Sequence, residues 1–518
     1  MKLNLKDTFN KELPADKNLA NTRRQVLDAC YSFVTPKKPK NPSLIHFSDE
    51  LAKEIGLEDY TLSKEFSEVF SGASTFPNTN PFAMCYGGHQ FGNWAGQLGD
   101  GRAINLFEIE HNDKHWALQL KGAGETPYSR TADGLAVLRS SIREHLCSEA
   151  MHHLGVPTTR SLALMLSGDE VLRDVLYNGN PDYEKGAIVT RVAPSFIRFG
   201  NFQILASRKD FKNLKLLADY TIKYFYPEIT ITGKEKYLEF YQEVVNRTLK
   251  MVVEWQRVGF VHGVMNTDNM SILGLTIDYG PYGWLEDFNP DWTPNTTDSQ
   301  NKRYRFGNQP DIALWNLVQL GNALYPLIED IPAMEKILEN YNTQFDLQYH
   351  QMMKNKLGLE ENYDNILHDE LQDVLKLTET DMTIFYRNLS SVLKTDFAEN
   401  ALEKITKSFY KPDEIKEKIK DNWIKWLNLY IERLGREFDL DAIRKEKMNS
   451  VNPKYVLRNY MAQLAIDAAD RGDYSIINEL YIMLKNPYDE QPNSEKWFAK
   501  RPDWARDKVG CSMLSCSS

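Results

Sequence analysis

The stretch His262-Gly-Val-Met-Asn-Thr-Asp-Asn269, followed by Ile277-Asp-Tyr-Gly280, decides the predicted fold. It comes directly after Tyr237 to Val258, where apolar residues recur at the spacing of one amphipathic helix. Asn269 and Asp278 carry oxygen ligands, and Mg²⁺ binds hard oxygens from one or two protein groups together with phosphate. The pattern therefore predicts two metal-binding loops behind a long helix.

The spacing of these motifs is that of protein kinases. A kinase has a catalytic loop H-R-D-x-x-x-x-N after a long helix, and then a D-F-G motif. The apolar residues Ile272 to Ile277 predict a strand that holds Asp278. The third position of the loop, where a kinase has its base, is Val264, which cannot accept a proton. A polar turn would also contain Asp and Asn, but the order of both motifs after a long helix favours a metal–nucleotide site.

A second pair of candidate residues lies earlier in the chain. Two alternating stretches, 102–109 and 116–121, predict a β-hairpin, and the apolar residues from Leu135 to Leu154 predict a helix. Lys121 ends the hairpin and Glu144 lies in the helix. In kinases a strand lysine contacts phosphates and pairs with a helix glutamate. A solvated surface pair is the alternative for an isolated Lys and Glu.

Glycines and arginines supply further candidates. Gly99-Asp-Gly-Arg102 precedes the hairpin and Gly122-Ala-Gly124 follows it, so backbone N–H groups could approach phosphates there, although ordinary turns use the same residues. Arg191 and Arg198 lie among apolar residues, so they require anions when buried, either a phosphate or a structural carboxylate. The pattern G-x-x-x-x-G-K-[ST] is missing from the sequence, which does not support a P-loop.

The order of the predicted elements indicates the fold class. Strand-like patterns dominate the first half, and from about Leu214 the pattern is mostly helical, which predicts an α+β arrangement of two lobes. The predicted units are an N-terminal extension (1–80), a β-rich nucleotide-binding lobe (81–210), a helical lobe with the catalytic and metal-binding loops (211–335), a helical C-terminal extension (336–500) and a mobile tail (501–518) with Cys511 and Cys516.

Composition excludes several functional classes. The net charge of −10 argues against non-specific binding of nucleic acid or of anionic membranes. No run of 18 apolar residues predicts a membrane span, and Met1 to Lys17 has no apolar core typical of a secretory signal. Five cysteines in 518 residues favour a reducing compartment. We therefore expect a cytoplasmic protein.

At the level of longer motifs, the chain resembles the selenoprotein O family (bacterial YdiU), protein adenylyltransferases with a pseudokinase fold. The matching blocks extend over nearly the whole chain. They are Tyr86-Gly-Gly-His-Gln-Phe-Gly-Asn-Trp-Ala-Gly-Gln-Leu-Gly-Asp-Gly-Arg102, Gln119-Leu-Lys-Gly-Ala-Gly-Glu-Thr-Pro-Tyr-Ser-Arg130, His262-Gly-Val-Met-Asn-Thr-Asp-Asn-Met270, Asn452-Pro-Lys-Tyr-Val-Leu-Arg-Asn459 and the terminal Cys516-Ser-Ser.

This resemblance implies an activity and a role for each candidate residue. It implies a kinase-like fold that binds ATP turned end for end and transfers AMP to Ser, Thr or Tyr hydroxyls of proteins, with release of pyrophosphate. Mg²⁺ or Mn²⁺ is the implied cofactor, held by Asn269 and Asp278, and UTP is a further nucleotide reported for the family. Asp268 is the implied proton acceptor, Lys121 holds phosphates and Glu144 orients it. The remaining implied nucleotide-site residues are Gly99, Gly101, Arg102, Asp133, Gly134, Arg191 and Arg198.

The sequence departs from the family at one cysteine. Bacterial members often pair the terminal cysteine with a cysteine in the segment after the D-Y-G motif. The corresponding stretch, Phe288 to Asp298, contains none, and Pro294 aligns with that position. Cys516 therefore lacks its usual partner, which puts an intramolecular redox switch in doubt. Cys511 or another protein remains as an alternative partner.

Two rival functions share most of these residues. A protein or small-molecule kinase would use the same ATP, metal and lysine, but would present the γ-phosphate to the acceptor. Val264 weighs against it. A non-catalytic nucleotide-binding scaffold would need no complete metal set, so Asn269, Asp278, Lys121 and Glu144 weigh against that rival. Acceptor proteins, including the chain itself, are the expected macromolecular partners.

Overall fold

A computed structural model describes residues 1–174, 179–360, 365–508, 510–511 and 513–515 of the chain. Its architecture is mixed α and β, with a β-rich N-terminal part and a helical C-terminal part. The strands are β1 Tyr31–Phe33, β2 Ser43–Phe47, β3 Phe82–Met84, β4 Gly87–Gln90, β5 Asn93–Gln97, β6 Ala103–His111, β7 Lys114–Lys121, β8 Ala136–Val137, β9 Arg160–Arg173, β10 Asp182–Ala193, β11 Phe260–Val261 and β12 Gly283–Trp284.

After residue 198 most of the described elements are helices, and the strands β11 and β12 have two residues each. They are α1 Phe9–Glu12, α2 Asp49–Glu54, α3 Lys64–Phe70, α4 Leu138–His153, α5 Phe199–Ser207, α6 Phe211–Phe225, α7 Glu235–Val258, α8 Gln309–Ile328, α9 Ile331–Leu357, α10 Asn365–Leu375, α11 Met382–Leu389, α12 Ala398–Ile405, α13 Glu417–Leu434, α14 Asp441–Val451, α15 Asn459–Ala469 and α16 Ser475–Leu484. This order agrees with the predicted change from strands to helices.

The main sheet is antiparallel, with the strand order β1-β3-β6-β7-β10-β9-β2 and with β8 paired to β10. Strands β1 and β2 come from the predicted N-terminal extension, 1–80, and they form the two edges of this sheet. The predicted hairpin is β6–β7: its turn, Asn112 and Asp113, has φ angles of 51° and 58°. Two consecutive positive φ values match the twist of the paired strands, which is why Asn and Asp suit this turn.

Helix α4 crosses the sheet and carries Glu144. It begins at Leu138, three residues later than the predicted helical pattern, because Ala136 and Val137 pair with β10 instead. Nearly all of its residues are buried, since the sheet covers one side and α15 and α16 pack against it from the C-terminal part. Because α4 is buried on both sides, it lacks the single polar face of a surface helix.

The long helix α7, Glu235–Val258, confirms the predicted one and ends at Gly259 in the left-handed conformation (φ 75°). The predicted strand from Ile272 to Ile277 is wrong. These residues form turns whose backbone bonds go to two other segments: the Ile272 N–H donates to Ile197 O (3.0 Å) and the Thr276 N–H to Pro157 O (2.8 Å). The apolar run reflects burial between these segments and does not extend a sheet.

The described residues of the tail pack onto the loop that follows the D-Y-G motif. The Leu514 N–H donates to Pro294 O (3.2 Å), and Leu514 O accepts from the Thr296 N–H (2.8 Å). Cys511 is buried with a free thiol, whereas Cys516 lies outside the described residues. Within the described part of the chain, no helix combines the length and apolarity needed to cross a bilayer.

Candidate active site

A cleft of about 380 Å³ separates the sheet from the loops that follow α7. Ten predicted site residues line it, namely Gly99, Gly101, Arg102, Lys121, Gly134, Arg191, Arg198, Asp268, Asn269 and Asp278. Among the described lining residues, six side chains are basic and three are acidic. In a chain with a net charge of −10, this local excess of positive charge favours an anionic ligand.

Lys121 and Arg191 share Glu144 as their counter-ion. Lys121 Nζ contacts one carboxylate oxygen of Glu144 and Arg191 Nε contacts the other, with all three side chains buried. The strand register makes this possible, because Gln119 and Lys121 lie on one face of β7 and Arg191 pairs opposite Gln119 in β10. Burial lowers the pKa of Lys121 to about 8 against the attraction of Glu144. The glutamate therefore holds both cations in place at the wall of the cleft.

Asp278 is held by two arginines. Arg191 Nη2 donates to its Oδ1 (2.9 Å), and Arg198 Nη1 contacts its Oδ2. Burial alone would raise the pKa of Asp278, but the guanidiniums of Arg198 and Arg191 outweigh it and hold the pKa well below its usual range. The carboxylate is therefore ionised, as a metal ligand must be.

Asp268 is in a different electrostatic environment from Asp278. It is only 7% exposed, and burial raises its pKa to about 6. Its Oδ2 accepts a hydrogen bond from Gln90 Nε2 (3.2 Å), whereas its Oδ1 has no hydrogen-bond partner among the described residues. A carboxylate with a pKa near the working pH and one uncommitted oxygen is suited to accepting a proton.

Asn269 has an amide that its own loop holds in one orientation. Asn269 Nδ2 donates to Val264 O (2.9 Å), which fixes the amide and leaves its carbonyl oxygen without a partner among the described residues. His262 connects this loop to the segment before Asp278, because its Nε2 lies within hydrogen-bond distance of Ile277 O (2.8 Å). One amide oxygen and one ionised carboxylate fit Mg²⁺ or Mn²⁺, which complete their shells with phosphate and water. The described residues contain no cluster of three or more His, Cys, Asp or Glu side chains that could hold a metal.

Two predicted residues are not part of the cleft lining. Glu144 lies behind Lys121, as described above. Asp133 lies at the exposed rim and binds the guanidinium of Arg173 through both carboxylate oxygens (2.9 and 2.8 Å). Arg173 itself lines the cleft, so Asp133 is connected to the cleft through this ion pair.

Sequence reasoning missed several lining residues, including Tyr86, Gln90, Asp100, Arg130 and Arg173. The Arg198 guanidinium lies 4.8 Å from the centre of the Tyr86 ring, so Tyr86 supports an arginine that was predicted. Tyr86, Gln90 and Asp100 all belong to the glycine-dense block 86–102, and that clustering was the available signal. Arg173 had no comparable signal, since it ends a strand far from every motif.

Gly134 offers a stability test of the cleft's rim. Its φ is 72°, and a Cβ there would lie 2.1 Å from Gly124 O. Gly134→Ala should therefore cost more than the roughly 1–2 kcal/mol of a left-handed non-glycine residue, and it should weaken ATP binding by moving the backbone at residue 124. Denaturant unfolding and ATP titration measure the two effects.

Gly155→Ala is the matched control for Gly134→Ala. Gly155 has nearly the same φ (76°), but a Cβ would meet no atom within 4 Å, and Gly155 is not part of the cleft. It should show only the conformational cost and no change in ATP affinity. Equal losses of stability in the two variants would contradict the steric argument.

Comparisons with known proteins show the family of this chain. The family model described as protein adenylyltransferase SelO matches residues 16–485. A protein nucleotidyltransferase YdiU of Flavobacterium johnsoniae is 64% identical over 100% of this chain and 99% of its own length. The YdiU proteins of Rhodopirellula baltica and Aromatoleum aromaticum are 54% and 52% identical, again over at least 99% of each chain. The chain therefore belongs to the SelO family of protein adenylyltransferases.

Proposed function

We propose that this protein transfers AMP from ATP to Ser, Thr or Tyr hydroxyls of acceptor proteins and releases pyrophosphate. The observation that carries the proposal is the cleft, in which an excess of basic side chains faces a buried carboxylate with one uncommitted oxygen. Family membership supports nucleotidyl transfer and not the kinase alternative. Val264 at the position of a kinase base agrees with that preference.

In the proposed reaction, Asp268 acts as the general base. Its carboxylate accepts the proton of the acceptor hydroxyl while the hydroxyl oxygen attacks the α-phosphorus. The new bond joins that oxygen to the α-phosphorus, and the bond from the α-phosphorus to the bridging oxygen breaks. Pyrophosphate leaves with that electron pair. Proton transfer to a placed base contributes about 10²–10⁴-fold to such reactions.

The basic residues are proposed to bind the triphosphate. Lys121 and Arg191 are already positioned by Glu144. Arg102 has no side-chain hydrogen bond or ion pair among the described residues, and it lies in the glycine-rich strand connection with Gly99 and Gly101. An uncommitted guanidinium in a basic cleft suits a phosphate, which it can bind through two hydrogen bonds. We propose that this end binds the β- and γ-phosphates, so the α-phosphate faces Asp268.

Asn269 and Asp278 are proposed to hold Mg²⁺ or Mn²⁺. When bound, the ion would neutralise charge on the phosphates. Arg191 and Arg198 keep Asp278 ionised, and Val264 O keeps the Asn269 amide in one orientation. These contacts belong to the chain itself, so the donor set is organised before nucleotide binds.

The finer architecture is likewise proposed to be kinase-like. Residues 81–210 would form the nucleotide-binding lobe, residues 211–335 the lobe with the catalytic and metal-binding loops, and residues 336–500 a helical extension. The pairing of Lys121 with Glu144 supports this arrangement, because a strand lysine and a helix glutamate form the same pair in kinases. A reducing cytoplasmic setting is proposed on the sparse cysteine content.

The proposed function is tested by the position of the isotopic label in ATP. The protein is incubated with Mg²⁺ or Mn²⁺ and ATP labelled at either the α- or the γ-phosphate, alone and with an acceptor protein mixture. We expect label on protein from the α position only, including self-modification of the chain. Label from the γ position only would establish the kinase, and bound nucleotide without any label would establish the scaffold. UTP labelled at the α position tests the second nucleotide in the same assay.

A further inference from the structure

A small hairpin covers the Asp268 loop. Among the described strands, β4 and β5 (Gly87–Gln97) form a separate two-stranded sheet outside the main sheet. The His89 N–H donates to Thr267 Oγ1 (2.7 Å), and the Phe91 N–H donates to Asn266 Oδ1 (3.2 Å). The hairpin backbone therefore holds the two residues that precede Asp268 in the chain.

Helix α5 packs against the backbone of the hairpin. A Cβ at Gly200 would lie 2.1 Å from Gly87 O, so the helix and the hairpin are in direct backbone contact. Gln203 of the same helix accepts a hydrogen bond from Thr267 Oγ1 (2.6 Å) and lies 3.4 Å from the His89 ring nitrogen. One helix thus braces both the hairpin and the loop beneath it.

The two carboxylate oxygens of Asp268 make different contacts with the hairpin. Gln90 Nε2 donates to Oδ2 (3.2 Å), while Oδ1 is buried without a hydrogen-bond partner among the described residues. At Gly88 a Cβ would lie 2.5 Å from Oδ1, so Oδ1 packs against the hairpin backbone in space that a side chain at Gly88 would fill. An unsatisfied buried carboxylate oxygen costs free energy, and such groups are retained where a ligand completes them.

We propose that Gln90 is a positioning residue that, by donating to Oδ2 of Asp268, holds this carboxylate in the orientation in which it accepts the proton of the acceptor hydroxyl. This inference rests on the proposed function and deepens it. Gln90 fixes the orientation of the carboxylate that takes the proton as the hydroxyl oxygen attacks the α-phosphorus and pyrophosphate leaves. Because the Gln90 side chain bonds to the proposed base and, among the described residues, to no basic side chain of the cleft, its loss slows the chemical step and leaves nucleotide affinity unchanged.

Gln90→Met tests this role, since methionine has similar length and no donor. The rate of α-label transfer at saturating ATP should fall by about 10–100-fold, the scale of a misplaced catalytic group. The KM for ATP and the Kd for ATP should stay within about threefold of wild type. Gln90→Glu, which places a second carboxylate beside Asp268, should lower the rate at least as far.

Gln97→Met is the matched control on the same hairpin. Gln97 bonds to backbone groups of Arg24 and Val26 and to the Arg208 side chain, and it has no hydrogen bond to Asp268. It should lower the melting temperature at least as much as Gln90→Met, with a transfer rate within about twofold of wild type. A structural role of the hairpin alone would slow both variants equally.

The outcomes separate this inference from the function on which it rests. A wild-type rate in Gln90→Met, an equal loss in Gln97→Met, or a loss confined to ATP affinity would each overturn the positioning role while the activity stands. No α-label from the wild-type protein would overturn the proposed function and this inference with it.

Discussion

Asp278→Ala is expected to abolish AMP transfer, with a rate at least about 10³-fold lower. The variant removes a carboxylate that we assign to the metal, and such charge stabilisation is worth several kcal/mol, with about 1.4 kcal/mol per tenfold in rate. It also leaves Arg191 and Arg198 without their shared counter-ion. Label from α-labelled ATP on protein measures the rate.

A loss of folding must be separated from a loss of chemistry in this variant. Removing one partner of a buried ion pair costs about 3–5 kcal/mol, and the two arginines behind Asp278 are almost fully buried. Asn269→Ala is therefore the companion variant, because the Asn269 side chain bonds only to Val264 O among the described residues and pairs with no cation. It should also lose most of its transfer activity while its melting temperature stays near that of wild type. Full activity in Asn269→Ala or in a folded Asp278→Ala protein would refute the metal assignment.

Asp268→Asn is expected to have the second-largest effect, a loss of about 10²–10⁴-fold in the rate of transfer. Asparagine keeps the shape of the side chain but cannot accept the proton. ATP binding should be preserved or slightly stronger, because a negative charge near the phosphates is removed. Initial rates of α-label transfer at saturating ATP, with ATP titration on the same samples, measure both quantities.

Asp298→Asn provides a control for Asp268→Asn. Asp298 is another buried aspartate of the same region, and its oxygens accept backbone N–H groups of Arg303 and Tyr304 away from the cleft. It should lower stability and leave the rate per folded molecule unchanged. If Asp268→Asn retained more than about a tenth of the wild-type rate, the base would have to be another group.

Local motifs made much of the site predictable. The loop from His262 to Asn269 is short, so its residue spacing alone places Asp268 and Asn269 together. The β6–β7 hairpin, helix α4 and helix α7 were likewise predictable, because alternation and helical periodicity act over neighbouring residues. The strand predicted at 272–277 was wrong, because an apolar run does not distinguish a buried turn from a strand.

Contacts between residues far apart in the chain could not be predicted from local sequence patterns. Arg191 was predicted to need an anion, but its actual partners are Glu144, 47 residues earlier, and Asp278, 87 residues later. Gln90 meets Asp268 across 178 residues. No local pattern relates residues so far apart, so both contacts depend on how the sheet packs against the loops.

The sequence by itself determined the order of the strand and helix elements, the motif behind α7 and the types of ligand atom available at Asn269 and Asp278. Only the tertiary structure decided the state of each acid. Two arginines keep Asp278 ionised, whereas burial under the hairpin raises the pKa of Asp268 to about 6 and leaves one of its oxygens unpartnered among the described residues. The physical reason is that desolvation and neighbouring charge set a pKa, and both are supplied by residues far away in the chain.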